Sequence, residues 1–330
     1  MIRFGIIGTN WITDSFLQAA QEADGFALTA VYSRTAQRAQ EFSDKYGAAR
    51  VYTNIEEMAA SGEIDAVYIA SPNSLHAEHA KACMKHGVHV LCEKPIASNS
   101  AELKEMVAVA REHGVVLMEA MKSTLQPNFG AVRDNLHRIG KVRRYVSSFC
   151  QYSSRYDAYK QGTVLNAFNP SFSNGALMDL GIYCLYPLVV LFGKPDRIHA
   201  NAVMLGSGVD GGGSLLLAYP EMEAVIHYSK MTNSSLPSEI QGEDGVMTIA
   251  KISMLESVEI RGRDGSLTDV TREQEANTMV YEVNEFIGLI RQGRTESAIN
   301  SHDHSLWTME IMDEARKQIG LVYPADAKYR

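Results

Sequence analysis

The 330-residue sequence lacks features that would place it in several large classes of protein. Its four cysteines are scattered without a C-x-x-C pair, so we predict reduced core residues rather than disulfides. It has no excess of positive charge, and the net charge of -8 argues against binding nucleic acid or anionic membrane. The most apolar stretch, CLYPLVVLFG, is short and contains Pro187, which is unlike a membrane span. The N-terminus has no signal core, so we expect a cytoplasmic protein.

A complete glycine-rich turn is also lacking. The stretch GIIGTNWIT, residues 5–13, approaches the dinucleotide-binding pattern G-x-G-x-x-G/A, but its three key positions read Gly8, Asn10 and Thr13. Asparagine tolerates a left-handed backbone, and the amides after Gly8 can still face a phosphate from a helix N-terminus. In isolation the stretch would read as an ordinary turn.

The order of predicted elements indicates two domains. Apolar strands alternate with helices up to about residue 120, which predicts a doubly wound α/β domain with a parallel sheet over residues 1–122. The alternation of strands and helices then stops. The later predicted strands are separated by SGVDGGG, PEM, EDG and RDG, which predict antiparallel hairpins. Helices over 128–138, 175–192, 277–292 and 303–319 make residues 123–330 an α+β domain.

Polar residues follow four of the predicted parallel strands. They are the stretches Gly8-Thr9-Asn10, Ser33-Arg34, Ser71-Pro72-Asn73 and Glu93-Lys94-Pro95. Because the carboxyl ends of parallel strands share one edge of the sheet, all four should line one crevice. This convergence favours a working cofactor turn at Asn10 over an ordinary one.

The order and spacing of these motifs resemble the Gfo/Idh/MocA family. The matching stretches are GIIGT, YSRT, ASPNSLH, EKP, GALMDLGIY and DEARKQIGLVYP. The resemblance implies a Rossmann domain followed by a C-terminal domain with a large, mostly antiparallel, open-faced sheet, through which the chain would form a homodimer or homotetramer. The tyrosine of DLGIY resembles the dihydrodiol and D-xylose dehydrogenase branch, although Thr124 and Gln126 stand where that branch has arginine and histidine.

The second strand indicates the nicotinamide cofactor. It ends in Ser33 and Arg34 without an acidic residue, and Arg38 lies one helical turn further on. An acid would bind the ribose of NAD, whereas arginine suits the 2′-phosphate of NADP, so NADP(H) is favoured over NAD(H). The alternative for Arg38 is a solvated helix charge. The predicted cofactor-binding residues are Gly8, Thr9, Asn10, Trp11, Ile12, Ser33, Arg34, Arg38, Ser71, Pro72, Asn73, His76, Glu93, Lys94 and, by the resemblance, Tyr281.

Three residues are predicted to be catalytic. Lys94 is held between Glu93 and Pro95, where its ammonium would stabilise oxyanion character on the reacting oxygen. The resemblance implies that Tyr183 is the acid/base and that Asp179 holds the substrate or the lysine. A phenol with an ordinary pKa of about 10 is a poor base at neutral pH, and a lysine cation would favour the phenolate. From the sequence pattern alone, core packing of Tyr183 remains the alternative.

No metal site is predicted. His76, His79 and Cys83 share a helical face but lack a second ligand cluster, and His302 with His304 begins the last helix. We therefore expect an NADP(H)-dependent oxidoreductase acting on a hydroxyl or carbonyl carbon of a small molecule: a sugar, polyol or cyclic diol. The alternatives are an NAD-dependent glycosidase of the same family and a non-catalytic NADP-binding regulator.

Overall fold

The computed structural model describes residues 1–329. Among them are fourteen strands. They are β1 (Ile2–Ile7), β2 (Phe26–Tyr32), β3 (Arg50–Tyr52), β4 (Ala66–Ile69), β5 (His89–Glu93), β6 (Leu117–Ala120), β7 (Val142–Cys150), β8 (Arg197–Met204), β9 (Asp210–Ala218), β10 (Glu223–Ser229), β11 (Ser238–Gly242), β12 (Gly245–Ala250), β13 (Ser257–Gly262) and β14 (Leu267–Asp269).

Ten α-helices connect or cover these strands in the described residues. They are α1 (Trp11–Ala20), α2 (Ala36–Tyr46), α3 (Ile55–Ala60), α4 (His76–Met84), α5 (Ser100–His113), α6 (Pro127–Asn135), α7 (Ser154–Lys160), α8 (Ile182–Phe192), α9 (Val280–Arg291) and α10 (His302–Ile319). A π-helical turn (Leu177–Gly181) leads directly into α8.

The chain folds into two compact units. The first contains residues 1–122 and 275–305, and the second contains 123–274 and 306–330, of which the structure describes residues up to 329. The boundary after Lys122 lies where the alternation of strands and helices in the sequence stops. Residues 275–305, which the sequence assigned to the second domain, belong instead to the first unit.

The first unit is built on a parallel six-stranded sheet with the order β3-β2-β1-β4-β5-β6. This is the doubly wound order, in which the strand order reverses between β1 and β4 and ligands bind at the carboxyl ends of the strands. Phe4 of β1 is fully buried, and its ring centroid lies 5.9 Å from that of Phe286 on α9. The late helix therefore completes the core of the N-terminal sheet.

Local sequence explains where the helices of this unit begin and end. The Thr35 hydroxyl accepts the Arg38 amide at the start of α2, and the Asn99 side chain accepts the Glu102 amide at the start of α5. Helix α2 ends at Gly47, which is left-handed with φ of 74°. These side chains satisfy amides that have no partner within the helix.

The second unit is built on an eight-stranded sheet with the order β14-β13-β12-β11-β7-β10-β9-β8. Only β7 and β10 pair in parallel among its described strands, so the sheet is mostly antiparallel as the resemblance implied. Leu215 and Leu217 of β9 are buried beneath one face, whereas Leu216 between them is 45% exposed on the other. One face is therefore covered by helix and the other is open.

The predicted helix over 175–192 differs from expectation in its first part. Residues Leu177–Gly181 form a π-helical turn, and only α8 that follows is α-helical. The stretch from Pro170 to Phe192 is long and apolar enough to cross a membrane by length and composition. Core helices meet the same criteria, and most of its residues are buried inside the second unit.

Candidate active site

The register of the first sheet brings the predicted loops to one edge. The last residue of β1, Ile7, pairs with Tyr32 at the end of β2 and with Ile69 at the end of β4. Ile69 in turn pairs with Cys92, one residue before the end of β5. The four polar stretches that follow these strands therefore begin at the same level of the sheet, as the sequence predicted.

Asn10 works differently from our expectation. Its backbone is extended, with φ of -112°, and the left-handed position is Gly8, with φ of 108°. Asn10 is the N-cap of α1: its Oδ1 accepts the amides of Ile12 at 3.0 Å and Thr13 at 3.4 Å. Its Nδ2 donates to the Ala70 carbonyl at 2.8 Å and so ties the β1 loop to the end of β4. Asn10 therefore does not use the left-handed conformation that asparagine tolerates, and its side chain already engages the Ile12 amide.

The turn fits a dinucleotide because of glycine and the helix start. A Cβ on Gly8 would lie 2.5 Å from the Ala70 carbonyl oxygen, so only glycine lets the two loops approach this closely. At the start of α1 the amides of Ile12 and Thr13 are capped by Asn10 and that of Asp14 bonds the Asn10 carbonyl, which leaves the Trp11 amide for a phosphate at this helix N-terminus. Trp11 is 67% exposed beside it. The residues present fit the dinucleotide that the fold implies.

The arginines after β2 divide into two roles. Arg38 donates to the Thr9 carbonyl at 2.8 Å and to the Thr9 hydroxyl at 3.3 Å, so it braces the β1 loop. It also pairs with Glu41 at 3.3 Å. Arg34 is exposed at the end of β2, next to the half-buried Ser33. Of the two arginines, Arg38 is thus engaged by the protein, and Arg34 is the one whose guanidinium is exposed where it could bind a ligand.

His76 joins the β4 and β5 loops. Its Nε2 lies 2.8 Å from the Ser71 carbonyl and its Nδ1 lies 3.0 Å from the Pro95 carbonyl, while His79 Nδ1 lies 3.0 Å from the Ser71 hydroxyl. Burial lowers the pKa of His76 to about 4. A neutral imidazole carries one N–H, so it donates to one of the two carbonyls. His76 is therefore a neutral brace inside the predicted cofactor edge, next to Pro72 and Asn73.

Lys94 is positioned by a buried acid. Its side chain is half-buried, and its backbone amide donates to Oε2 of Glu93 at 3.3 Å. Oε1 of Glu93 accepts the hydroxyl of Tyr68 at 2.6 Å. Burial raises the pKa of Glu93, opposed by the Tyr68 hydrogen bond and by nearby lysines. The peptide bond between Lys94 and Pro95 is cis.

A second buried acid, Glu119, supports the same loop from β6. Its Oε1 accepts the amide of Ile96 at 3.0 Å, and its side chain is 2% exposed. Burial raises the pKa of Glu119 to about 7, opposed by hydrogen bonds from Ser305 and Ile96. The loop that carries Lys94 is therefore held on both sides by carboxyl groups in the core.

Helix α9 adds a third buried acid, near Glu93 and Lys122. Glu282 is fully buried, and neither of its carboxyl oxygens has a hydrogen-bond partner among the described residues. Burial and the neighbouring Glu93 raise its pKa well above the usual range, opposed by the cation of Lys122. Tyr281, the predicted cofactor residue on this helix, has its hydroxyl occupied by the Glu275 amide at 2.7 Å. Glu282 is thus the residue by which α9 approaches Glu93, the acid that precedes Lys94.

The second unit presents the other predicted catalytic residues on a buried helical segment. Within residues 176–189, Asp179 and Tyr183 are the two that are not buried. Asp179 lies in the π-helical turn, a feature frequent at functional sites, and Tyr183 lies in α8 with its ring 5.5 Å from Phe149. All the other residues of this segment are buried. The segment therefore holds the carboxylate of Asp179 and the phenol of Tyr183 where a ligand can reach them.

Asp179 is held by a lysine that the sequence did not single out. Lys230 follows β10 and is 3% exposed at its side chain, and its Nζ lies 2.8 Å from Asp179 Oδ2. No local motif marks it, because the residues that surround its ammonium are distant in sequence. Glu119, Lys122 and Glu282 were missed for the same reason. Residues 1–329 contain no group of three or more histidines, cysteines or acids placed to hold a metal ion.

Comparison with known proteins identifies the family. Residues 2–121 match the Gfo/Idh/MocA oxidoreductase family, described by its NAD-binding Rossmann fold, and residues 135–248 match the Gfo/Idh/MocA C-terminal domain. The chain belongs to this family. The predictions of an oxidoreductase, of a nicotinamide cofactor and of the two-part fold are thereby confirmed.

Two curated relatives and one solved structure span nearly the whole chain. The chain is 56% identical to scyllo-inositol 2-dehydrogenase (NADP(+)) IolU of Bacillus subtilis over 326 residues, 99% of each chain. It is 31% identical to trans-1,2-dihydrobenzene-1,2-diol dehydrogenase of Mus musculus, again over 99% of each chain. A 3-ketoreductase from Actinomadura kijaniata, solved with NADP and TDP-benzene, has the same fold, with a TM-score of 0.83, 23% identity and coverage of 96% and 98%.

Proposed function

We propose that the protein is an NADP(H)-dependent dehydrogenase that oxidises a secondary hydroxyl of a cyclic polyol, with scyllo-inositol as the first candidate. The bound nicotinamide would accept the hydride from the carbon that bears this hydroxyl. The observation that carries the chemistry is that Asp179 and Tyr183 are presented from an otherwise buried helical segment. The 56% identity to a scyllo-inositol 2-dehydrogenase supports the substrate.

Each predicted catalytic residue has a separate task. The ammonium of Lys94 stabilises the negative charge that develops on the reacting oxygen, and Glu93 fixes the backbone of that lysine. The hydroxyl of Tyr183 takes the proton of the reacting hydroxyl as general base and returns it in the reverse direction. The carboxylate of Asp179 accepts a hydrogen bond from a hydroxyl of the polyol and so fixes which ring carbon reacts.

Preference for NADP(H) over NAD(H) is part of the proposal. The exposed Arg34 and the hydroxyl of Ser33 supply charge and a donor for a 2′-phosphate at the end of β2. Arg38 braces Thr9 in the loop after β1 and is expected to serve both cofactors alike. The relative at 56% identity is named for NADP(+), which supports the same choice.

The test is NADP⁺ reduction, followed by absorbance, with scyllo-inositol, other polyols, aldoses and trans-diols. Tyr183→Phe and Lys94→Met should each lower kcat by roughly 10²- to 10⁴-fold, and Tyr183→Phe should leave NADPH affinity nearly unchanged. If both residues act on one oxygen, the double variant should lose much less than the product of the single losses. Turnover without net NADPH formation would instead favour the glycosidase, and cofactor binding without any turnover would favour the regulator.

We also propose that the open face of the eight-stranded sheet joins copies of this chain. Leu216 is 45% exposed there, and Val225 on β10 and Val146 on β7 are half-buried beside it in register. Leu216→Arg should reduce the mass measured by light scattering, whereas Leu236→Arg, at an exposed leucine in a loop, should not. An unchanged mass in Leu216→Arg would overturn this assembly. A cytoplasmic location remains a prediction, which cell fractionation tests.

A further inference from the structure

Lys230 is a buried lysine in the second unit. It directly follows β10, and its backbone amide donates to the Gly211 carbonyl at 2.8 Å. Its side chain is 3% exposed. Lysine is rarely buried to this degree unless its charge is paired, so its surroundings decide what it does.

The ammonium of Lys230 has three acceptors, all of which lie between Ala167 and Asp179. Its Nζ lies 2.8 Å from Asp179 Oδ2, 3.1 Å from the Ala167 carbonyl and 3.3 Å from Asn174 Oδ1. An ammonium carries three hydrogens, so every donor has an acceptor. The same Nζ lies 5.5 Å from the centre of the Phe168 ring. The group is fixed in place and shielded from solvent.

Asp179 is the partner that faces outwards. Its side chain is 40% exposed, whereas the lysine that binds its Oδ2 is buried. An ion pair between two exposed side chains is weak because water screens it and both chains must be ordered. Here the cation is already ordered by Ala167 and Asn174, so the cost of ordering falls on Asp179 alone.

The turn that carries Asp179 is also anchored at its start. Oδ2 of the buried Asp210 accepts the Leu177 amide at 2.7 Å, and the hydroxyl of Tyr323 donates to the Asn174 carbonyl at 2.9 Å. With the backbone held there, the remaining freedom of Asp179 is rotation of its own side chain. The bond from Lys230 to one carboxylate oxygen removes that freedom.

We propose that Lys230 is the positioning residue that orients the Asp179 carboxylate toward the substrate hydroxyl. It rests on the proposed function in that Asp179 binds the polyol, and it adds a residue that acts through Asp179 without touching substrate. Misplacement of a substrate-binding group by about 1 Å can cost about 100-fold in rate. Loss of Lys230 should therefore be felt in kcat/KM for the polyol and not in the KM for NADP⁺.

The test is a set of variants compared with the wild type: Lys230→Met, Asp179→Asn and the double variant. Lys230→Met should lower kcat/KM for the polyol by about 100-fold. In the Asp179→Asn background the same change should cost less than about threefold, because the group through which it acts is already altered. Lys230→Arg keeps the charge and should retain more activity than Lys230→Met. If Lys230→Met does not fold, Lys230→Arg takes its place in the comparison.

Arg316→Met is the matched control. Arg316 is also a buried cation of the second unit, 5% exposed at its side chain and paired with Asp313 and Asp326. Its loss should lower the melting temperature but leave kcat/KM of the folded enzyme within about twofold. If the losses from Lys230→Met and Asp179→Asn simply multiply, the positioning role is overturned.

A second readout separates this inference from the proposed function. Melting temperatures of the same four proteins should show that Lys230→Met costs less stability once Asp179 is asparagine. That coupling supports the pairing even if the wild type oxidises no polyol, a result that would sink the proposed function alone. Additive stability losses would overturn the pairing whether or not the wild type is active.

Discussion

The hydroxyl of Tyr68 donates a 2.6 Å hydrogen bond to Oε1 of Glu93, deep in the core of the first unit. The ring of Tyr68 stacks on that of Phe16 with 3.7 Å between centroids and an interplanar angle of 2°. The other carboxylate oxygen of Glu93 accepts the amide of Lys94. The hydroxyl of Tyr68, whose ring is fixed by stacking, therefore orients the Glu93 carboxylate, and that carboxylate accepts the backbone amide of Lys94.

Replacing Tyr68 should weaken both stability and activity. Tyr68→Phe leaves a buried oxygen of Glu93 without its donor, which costs about 1–3 kcal/mol of unfolding free energy. We also expect kcat to fall because the backbone of Lys94 loses part of its support. Denaturation and steady-state kinetics measure the two effects. Tyr46→Phe is the control, since that hydroxyl bonds Asp14 elsewhere in the same unit; equal effects of both changes would contradict the prediction.

Restoring glycine at position 10 should cost stability rather than improve cofactor binding. Asn10→Gly removes the cap of α1, worth a few tenths of a kcal/mol relative to glycine, and the bond from Nδ2 to the Ala70 carbonyl, worth about 1 kcal/mol. NADPH affinity should change by less than about tenfold, or ~1.4 kcal/mol. Thermal denaturation and fluorescence titration measure these. Asn54→Gly, which removes only the cap of α3, should be milder. A large gain in affinity would show that the native turn is impaired.

Arg34 should discriminate between the two cofactors. Arg34→Ala removes a charged hydrogen bond to the 2′-phosphate and should weaken NADP⁺ by roughly 1.5–3 kcal/mol while changing NAD⁺ little. Arg38→Ala is the matched comparison, since Arg38 bonds Thr9 and should affect both cofactors alike. Titration with each cofactor provides the measurement. Equal weakening by Arg34→Ala would mean that this arginine only stacks on adenine.

Glu119 should make stability depend on pH. Burial raises its pKa from 4.5 to about 7, so the folded protein keeps a proton that the unfolded chain releases. Its stabilisation is present below about pH 4.5 and is lost as the pH rises through about 7, a change on the order of 3 kcal/mol. Glu119→Gln should therefore gain stability relative to wild type over this window and then level off. Urea unfolding of both proteins at several pH values tests this, and a difference in stability that does not change with pH would contradict it.

The sequence was sufficient to predict the edge of the parallel sheet. Strand ends could be located because apolar runs stop at polar residues such as Ser33 and Ser71, and parallel strands must present those ends together. Strand β3 and helices α3 and α7 escaped notice because they are short and carry little periodicity. Short elements are stabilised by what they pack against, which a linear pattern does not record.

The supporting residues could not be predicted for a related reason. The cap at Asn10 depends on its own turn, yet its second bond depends on the Ala70 carbonyl, which only the assembled sheet brings near. Lys230 reads in the sequence as an ordinary lysine after a strand, and its role arises from three acceptors at distant positions. Burial of a charged group is a property of the tertiary structure, so single-sequence patterns do not mark it.

Because residues 275–305 belong to the first unit, this unit is completed only after residues 123–274 of the second unit have been synthesised. During synthesis all six strands of the first sheet emerge before residue 122. The partners of Phe4 and of the Ser15 carbonyl, Phe286 and the side-chain amide of Asn277, emerge only after residues 123–274 of the second unit. A nascent chain that ends at Lys122 therefore contains all six strands of the parallel sheet but lacks α9, which covers part of the core of that sheet. A chain divided after Lys122 thus separates the parallel sheet from the helix that completes its core.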